Sequence, residues 1–347
     1  MSCIGTLAIA LCSVALLGCG DGLAEVDHSH GAATYARYCA LCHGDKGQGY
    51  QADSANALTN QSFLASVSDA FLRDGIAHGR PGTPMSSWGK AYGGPLSESD
   101  VQAIIGWLRS QQTVPNRAVS SAKITTGSAE RGKIVYAMEC AGCHGQLGKG
   151  GPYMSVTHPV FLAGVSDHWL RQVIAEGRPG TGMPGFSGIV EPHHLDDLVA
   201  VLRSWQQPID KLAPVLPPAK LPPALLNPGG PAPAFAAQSG RYVSAWDVKA
   251  ALDAKAELVL VDARPAGDYP PFHLPGAVSI PFYQAELLGP QLPKNAWTVT
   301  YCACPHAEST ALAEALEKQG HPHVRVLDEG ILYWKKLGWP LHTGAEP

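Results

Sequence analysis

The chain has 347 residues, enough for two or three domains of ordinary size, and a net charge of −4 from 25 Lys and Arg against 29 Asp and Glu. So small an acidic balance gives no reason to expect nucleic-acid binding. Hydrophobic residues make up 45%, as in a soluble globular protein, while 38 Gly and 29 Pro favour loop-rich domains and a stiff linker over one large sheet.

The N-terminus is an apolar leader, Cys3–Gly18, of sixteen apolar or small residues. A membrane span needs about 20, so the run suits the core of an export signal. It ends in LLGC, Leu16–Cys19, which resembles the bacterial lipobox. That resemblance implies a signal peptide over 1–19, a lipid on Cys19 and attachment to a bacterial membrane on the periplasmic side. Gly20, rather than Asp, after the cysteine favours the outer membrane. Met1-Ser2 carries no Lys or Arg, so ordinary cleavage to a soluble periplasmic protein and an uncleaved anchor both stay open.

An internal repeat dominates the first two-thirds of the chain. GAATYARYCALCHG (Gly31–Gly44) is answered by GKIVYAMECAGCHG (Gly132–Gly145), with Gly eight and Tyr four residues before the first Cys in each. FLRDGIAHGRPGTPM (Phe71–Met85) is answered by WLRQVIAEGRPGTGM (Trp169–Met183). Each copy closes on an amphipathic helix, VQAIIGWLRSQQ from Val101 and DDLVAVLRSWQQ from Asp196, with apolar residues at three- and four-residue steps. Ser97 and Asp100 form a capping-box pattern with Asp in place of Glu. These are tandem copies of one small helical domain, over 28–113 and 126–208. Residues 209–238 hold most of a nine-proline stretch and predict a semi-rigid, extended spacer. Residues 239–347 alternate short β-rich runs (ELVLVD from Glu257, WTVTYC from Trp297, HVRVL from His323) with helical segments, as in a small α/β domain with a parallel sheet.

Every cysteine beyond the leader belongs to a motif. Cys39–Cys42–His43 and Cys140–Cys143–His144 are two CxxCH motifs. Two thiols three residues apart stand about one helical turn apart and can add to the two vinyl groups of one porphyrin, while the next residue offers its imidazole to the iron. This is the attachment signature of haem c, and two copies predict two covalent haems. The repeats resemble class I cytochrome c domains over nearly all of 28–208. That resemblance implies a methionine as second axial ligand, and the matching positions are Met85 and Met183, which lie 42 and 39 residues after His43 and His144. His78 and the His193-His194 pair are the rival ligands. Met138 is too near its own cysteines, and Met154 lacks the GRPGT context. His/Met ligation raises the reduction potential. Trp88 and Phe186 are expected to wall the haems, and Tyr35 and Tyr136 to pack in the core. For Arg80 and Arg178, pairing with a haem propionate and a solvated loop charge stand as equal readings.

From 239 onward the chain resembles a single-domain rhodanese, through DARPAGDY (Asp262–Tyr269), HLPGAVSIPF (His273–Phe282), TYCACPHAES (Thr300–Ser309) and LDEGILYWKKLGWPL (Leu327–Leu341). The resemblance implies that Cys302 is a persulfide-forming nucleophile at a strand end, activated by the following helix. The loop departs from the family. Ser309 lies seven residues after Cys302 instead of six, Glu308 precedes it instead of Arg, and Cys304-Pro305 replace basic and Gly residues. The loss of positive charge argues against phosphatase activity and against thiosulfate as donor. Cys304 is open between a resolving thiol, an inert side chain and, with Cys302 and His306, a soft-metal ligand. Asp262, Arg264 and His273 read as structural.

The fold class is thus two all-α cytochrome c domains followed by a small α/β rhodanese-like domain. Two functional readings compete. In one, sulfane sulfur or thiol small molecules react at Cys302 and electrons leave through the haems to redox partner proteins. In the other, the chain is a pure electron carrier whose third domain only binds.

Overall fold

The computed structural model describes residues 27–50, 55–209, 214–237, 239–303 and 306–347. The leader with Cys19, and the pair Cys304-Pro305, lie outside the described residues.

Each repeat folds as five helices. The first copy runs α1 (Ser29–Tyr38), α2 (Ala40–His43), α3 (Gln61–Ser66), α4 (Asp69–Ala77) and α5 (Glu98–Ser110). The second runs α6 (Ala129–Glu139), α7 (Ala141–His144), α8 (Pro159–Ala163), α9 (Asp167–Glu176) and α10 (Pro192–Ser204). Side-chain oxygens of Asn60, Ser68, Ser97, Ser128 and Ser166 accept from the backbone N–H three residues on, which starts five of these helices. Ser97 and Asp100 complete the capping box.

The first and last helices of each copy cross at very short range. A Cβ on Gly31 would stand 2.1 Å from the Ala103 carbonyl oxygen, and one on Gly132 2.1 Å from that of Asp197. This crossing is the physical reason for a glycine eight residues before each cysteine pair. Tyr35, Leu64, Leu72, Ile104 and Leu108 pack continuously with Tyr136, Leu162, Leu170, Leu198 and Leu202, so the two copies share one apolar core.

Their contact is reciprocal. Asn60 Nδ2 donates to the Pro179 carbonyl (2.8 Å), and at the matching place His158 Nε2 donates to that of Pro81 (3.1 Å). Arg80 lies over Phe71 of its own copy and Phe161 of the other. Arg178 lies over Trp169 of its own and Phe63 of the other.

The C-terminal domain adds β1 (Leu225–Leu226), β2 (Tyr242–Val243), α11 (Ala245–Asp253), β3 (Leu258–Asp262), β4 (Val278–Ser279), α12 (Ala285–Leu288), β5 (Thr298–Tyr301), α13 (Ala307–Lys318), β6 (Val324–Leu327) and α14 (Gly330–Lys336). The strand order is β1-β3-β5-β6-β2, with β4 also paired to β3, and all pairs are parallel except β1 with β3. The central strands β3 and β5 are buried along their whole length, as helices on both faces of a parallel sheet require.

One expectation is corrected. The proline-rich stretch is not a free spacer. Leu225 and Leu226 pair antiparallel with Val259 and Leu258, the Leu221 N–H donates to Gln291 (2.9 Å), and Phe235 is fully buried among Val243, Leu258 and Trp334. The leucines and the phenylalanine between the prolines carry enough apolar surface to cover the sheet edge, and that gain outweighs the extended preference of proline.

Candidate functional site

The two CxxCH segments share one local geometry. Cys39 and Cys140 each end one helix and start the next at the same φ −117°, ψ −34°. The N–H groups of His43 and His144 each donate to the carbonyl of that cysteine at 2.9 Å, and those of Cys42 and Cys143 at 3.2 Å. Both sulfurs of a pair therefore sit on a single turn with the histidine directly after them. Gly44 and Gly145 then reverse the chain at φ +80° and +73°. Their carbonyls accept from the Tyr35 and Tyr136 hydroxyls at 2.8 and 3.0 Å, so these tyrosines do more than fill the core.

Each imidazole is held by its Nδ1. His43 Nδ1 donates to the Asn56 carbonyl at 2.8 Å and His144 Nδ1 to that of Met154 at 3.0 Å. A donor at Nδ1 leaves the Nε2 lone pair for a metal. Burial pushes the His43 imidazole below its ordinary value, against the opposing pull of the Asn56 carbonyl, which keeps it in the neutral ligating form. The Asn56 and Met154 carbonyls were not legible in the motifs, because main-chain acceptors have no sequence signature.

The GRPGT loops are built identically. The N–H groups of Arg80 and Arg178 donate back to the carbonyls of Met85 and Met183, while the hydroxyls of Thr83 and Thr181 bond the arginine carbonyls at 2.8 Å and accept from the methionine N–H at 3.2 Å. Each methionine is thus presented from a closed loop. His43, Met85, His144 and Met183 all line one cavity, predominantly apolar, that runs through both copies. Cys140, Cys143, Met154 and Phe186 share its wall. Trp88, matched to Phe186 in sequence, is buried against Tyr38 and Phe282 instead. His78 is turned to the Tyr92 hydroxyl (2.9 Å), and the His193 and His194 rings lie 4.1 Å apart, tilted by 53°, beside Asp197.

Arg80 and Arg178 are not solvated loop charges. Both line the cavity, and burial lowers both guanidiniums to about 10. Neither has a carboxylate within ion-pair distance among the described residues. A buried guanidinium without a counter-anion is strongly unfavourable. A porphyrin with two propionates supplies the missing anions, the apolar wall suits its ring, and His Nε2 and Met Sδ suit its iron. The donor set therefore fits haem. The thiols do not read as a redox pair, since burial pushes Cys39 and Cys140 up to about 12.

In the C-terminal domain Cys302 follows β5 directly and is 1% exposed, with its sulfur 3.3 Å from Ser309 Oγ. Glu308 is buried beside it. Burial first, then the charge of Cys302 and of Asp268, hold its carboxyl well above the usual range. Asp262 and Arg264 form a fully buried bidentate pair (2.6–3.2 Å), and the His273 ring lies between the carbonyls of Tyr269 and Glu346 at 3.0 Å. All three hold the loops rather than face the thiol. His306 pairs with Asp328 at 3.2 Å.

Comparison with known proteins agrees with this division. Residues 26–108 and 127–201 match the family described as cytochrome c oxidase, cbb3-type, subunit III, and residues 244–337 match the rhodanese-like domain. The cbb3-type cytochrome c oxidase subunit FixP of Azorhizobium caulinodans is 29% identical over 176 residues, covering 49% of this chain and 57% of that protein. Subunit CcoP of the Helicobacter pylori oxidase is 26% identical over 161 residues, covering 45% and 50%. The crystal structure of a thiosulfate sulfurtransferase from Pseudomonas aeruginosa aligns at 27% identity and a TM-score of 0.27, covering 32% of this chain and 21% of that one. The chain spans little more than half the length of the first of these oxidase subunits. Two CxxCH turns and two matched methionine loops in the cytochrome-matching region, with a Cys302 strand end in the other, are those of two cytochrome c domains with sites for haem c, joined to a rhodanese-like domain.

Proposed function

We propose that the protein transfers single electrons on the periplasmic side of a bacterial membrane and couples them to sulfane-sulfur chemistry at Cys302. Cys39 and Cys42 would hold one haem and Cys140 and Cys143 the other, with His43 and Met85, and His144 and Met183, offering the nitrogen and sulfur donors to each iron. Haem c supplies a one-electron couple at each site. The observation that carries the reading is the cavity that collects both histidines, both methionines and both partly buried arginines. Arg80 and Arg178 bind and neutralise the propionates, Phe186 and its neighbours exclude water, and the Asn56 and Met154 carbonyls orient the imidazoles.

At Cys302 the thiolate attacks the outer sulfur of a donor persulfide. The donor's S–S bond breaks, the donor leaves as a thiolate, and Cys302 holds the new persulfide. Oxidative joining of that persulfide to a second thiol forms a trisulfide and releases two electrons and two protons, a pair that matches two one-electron sites. The loop around Cys302 lacks the positive charge that a thiosulfate dianion would need, which favours persulfides of low charge. Redox proteins take the electrons onward, as the oxidase subunits among its relatives suggest. Lipidation at Cys19 anchors the chain, and no helix among the described residues is long and apolar enough to cross a membrane.

The test is anaerobic. Fully oxidised holoprotein is mixed with thiosulfate or with a low-molecular-weight persulfide plus thiol, and the ferrous α-band is followed beside a Cys302→Ser variant. Reduction by the persulfide that vanishes in the variant is the expected result. Equal reduction in both proteins, or none in either, leaves a dihaem carrier with a binding module.

A further inference from the structure

The two repeats differ most in the loop after the methionine. Ser97 caps the closing helix twelve residues after Met85, whereas Glu191 does so eight residues after Met183. The first loop is four residues longer, and the extra length carries Tyr92-Gly93-Gly94.

These residues meet the rhodanese-like domain backbone to backbone. The Gly93 carbonyl accepts from the Ala266 N–H (3.2 Å) and from the Tyr283 hydroxyl. Gly93 stands at φ +82°, where a Cβ would lie 2.5 Å from the Gly267 nitrogen, and a Cβ on Gly267 would lie 2.1 Å from the Tyr92 carbonyl oxygen. The loop is braced from behind, since His78 bonds the Tyr92 hydroxyl and receives the Ser87 hydroxyl at its own carbonyl (2.6 Å). Beside it Phe282 packs edge-on against Trp88 and Tyr38.

The same face leads to Cys302. Asp268 lies against Ser86, the neighbour of Met85. The Asp268 Oδ2 and Ser86 Oγ atoms are both buried, and a side-chain hydrogen bond with Ser86 opposes the burial that pushes the Asp268 carboxyl up. The charges of Asp268 and Cys302 both act on the buried Glu308 carboxyl, which links this face to the thiol. In the second repeat Ile189 stands in the shorter loop and is 57% exposed.

We propose that the Tyr92–Gly94 extension is a latch that docks the rhodanese-like domain on the first haem domain, so that the Met85 loop and the surroundings of Cys302 form one body and the first haem alone responds to Cys302. The proposal rests on the haem assignment above but not on sulfur chemistry. Docking keeps water from Trp88 and the Met85 loop, and the dry shell around a redox site sets its potential. Undocking lets water stabilise the more highly charged ferric state, so the first potential falls.

The experiment is potentiometry of the full-length holoprotein in a Cys304→Ser background, with the haems assigned through Met85→His and Met183→His. Gly267→Val, whose side chain would strike the Tyr92 carbonyl, lowers the potential of the Met85 haem and leaves the Met183 haem where it was. Tyr283→Phe, which removes one hydroxyl and leaves the ring, shifts the same haem in the same direction by less. Alkylation of Cys302 with iodoacetamide moves that haem in the background protein and not in Gly267→Val. Unchanged potentials in Tyr283→Phe and in the alkylated protein, or a shift of the Met183 haem, would overturn the latch. A chain that binds no haem would instead defeat the functional reading itself.

Discussion

Arg80 and Arg178 illustrate how one residue is decided by its surroundings. As letters in a Gly- and Pro-rich loop they had equal claims to solvent and to a haem. Placed between aromatic rings with no carboxylate at hand, they become fixed positive charges that favour the reduced, less positive state of an iron centre. Arg80→Gln is therefore expected to lower the midpoint potential of the haem it adjoins, with Arg80→Lys restoring part of the loss. Potentiometry checks this, and a rise in potential on loss of the charge would contradict it. Cys302 shows the converse. Its neighbours Ser309 and Glu308 were legible in the motif, as was the absence of an arginine. The burial of Glu308 against Asp268 was not, because that acid comes from a loop forty residues earlier.

Among the elements, the last helices of the two copies are tied down by the same set of arginine hydrogen bonds but to carboxylates of different exposure. Arg203 on α10 bonds Asp167, which is 3% exposed, whereas the matching Arg109 on α5 bonds an Asp69 that is 64% exposed. An exposed pair contributes little. Burial pushes Asp167 up, but the Ile124 N–H and the Arg203 and Lys123 charges outweigh it, and the carboxyl ends below its ordinary value. A carboxyl depressed in the fold adds stability that is full above its unfolded value, near 4, and is lost as pH falls through the folded one. The second haem domain should thus lose stability below pH about 4, and Asp167→Asn should remove that part of the dependence. Denaturation curves at pH 3 to 6 test this, and equal slopes for the two proteins would refute it. Helices, caps, strands and the repeat itself were legible because each rests on local periodicity and end chemistry. The proline-rich stretch was misjudged because its few leucines act only once β3 is beside them, a contact that composition does not encode.

At the scale of the whole molecule, the corrected linker changes the expected shape. A free spacer would leave the third domain at the end of a tether. With Leu225 and Leu226 paired to β3 and Tyr92 bridged to Val215, the three domains form one body. A compact chain of this length has a radius of gyration of about 20 Å. Small-angle scattering of the holoprotein should give a value near that, and Gly267→Val a larger one. A wild-type value well above it would mean the domains are tethered rather than docked.

The reciprocal contacts between the haem domains carry one more consequence. Asn60 reaching Pro179 while His158 reaches Pro81, and each arginine crossing to the other copy's phenylalanine, is the self-complementary pattern of a two-fold dimer. The tandem chain packs as a symmetric pair within one molecule. Halves that are covalently joined need not be identical, so one of them can carry a longer loop that seats a third domain without obstructing its twin.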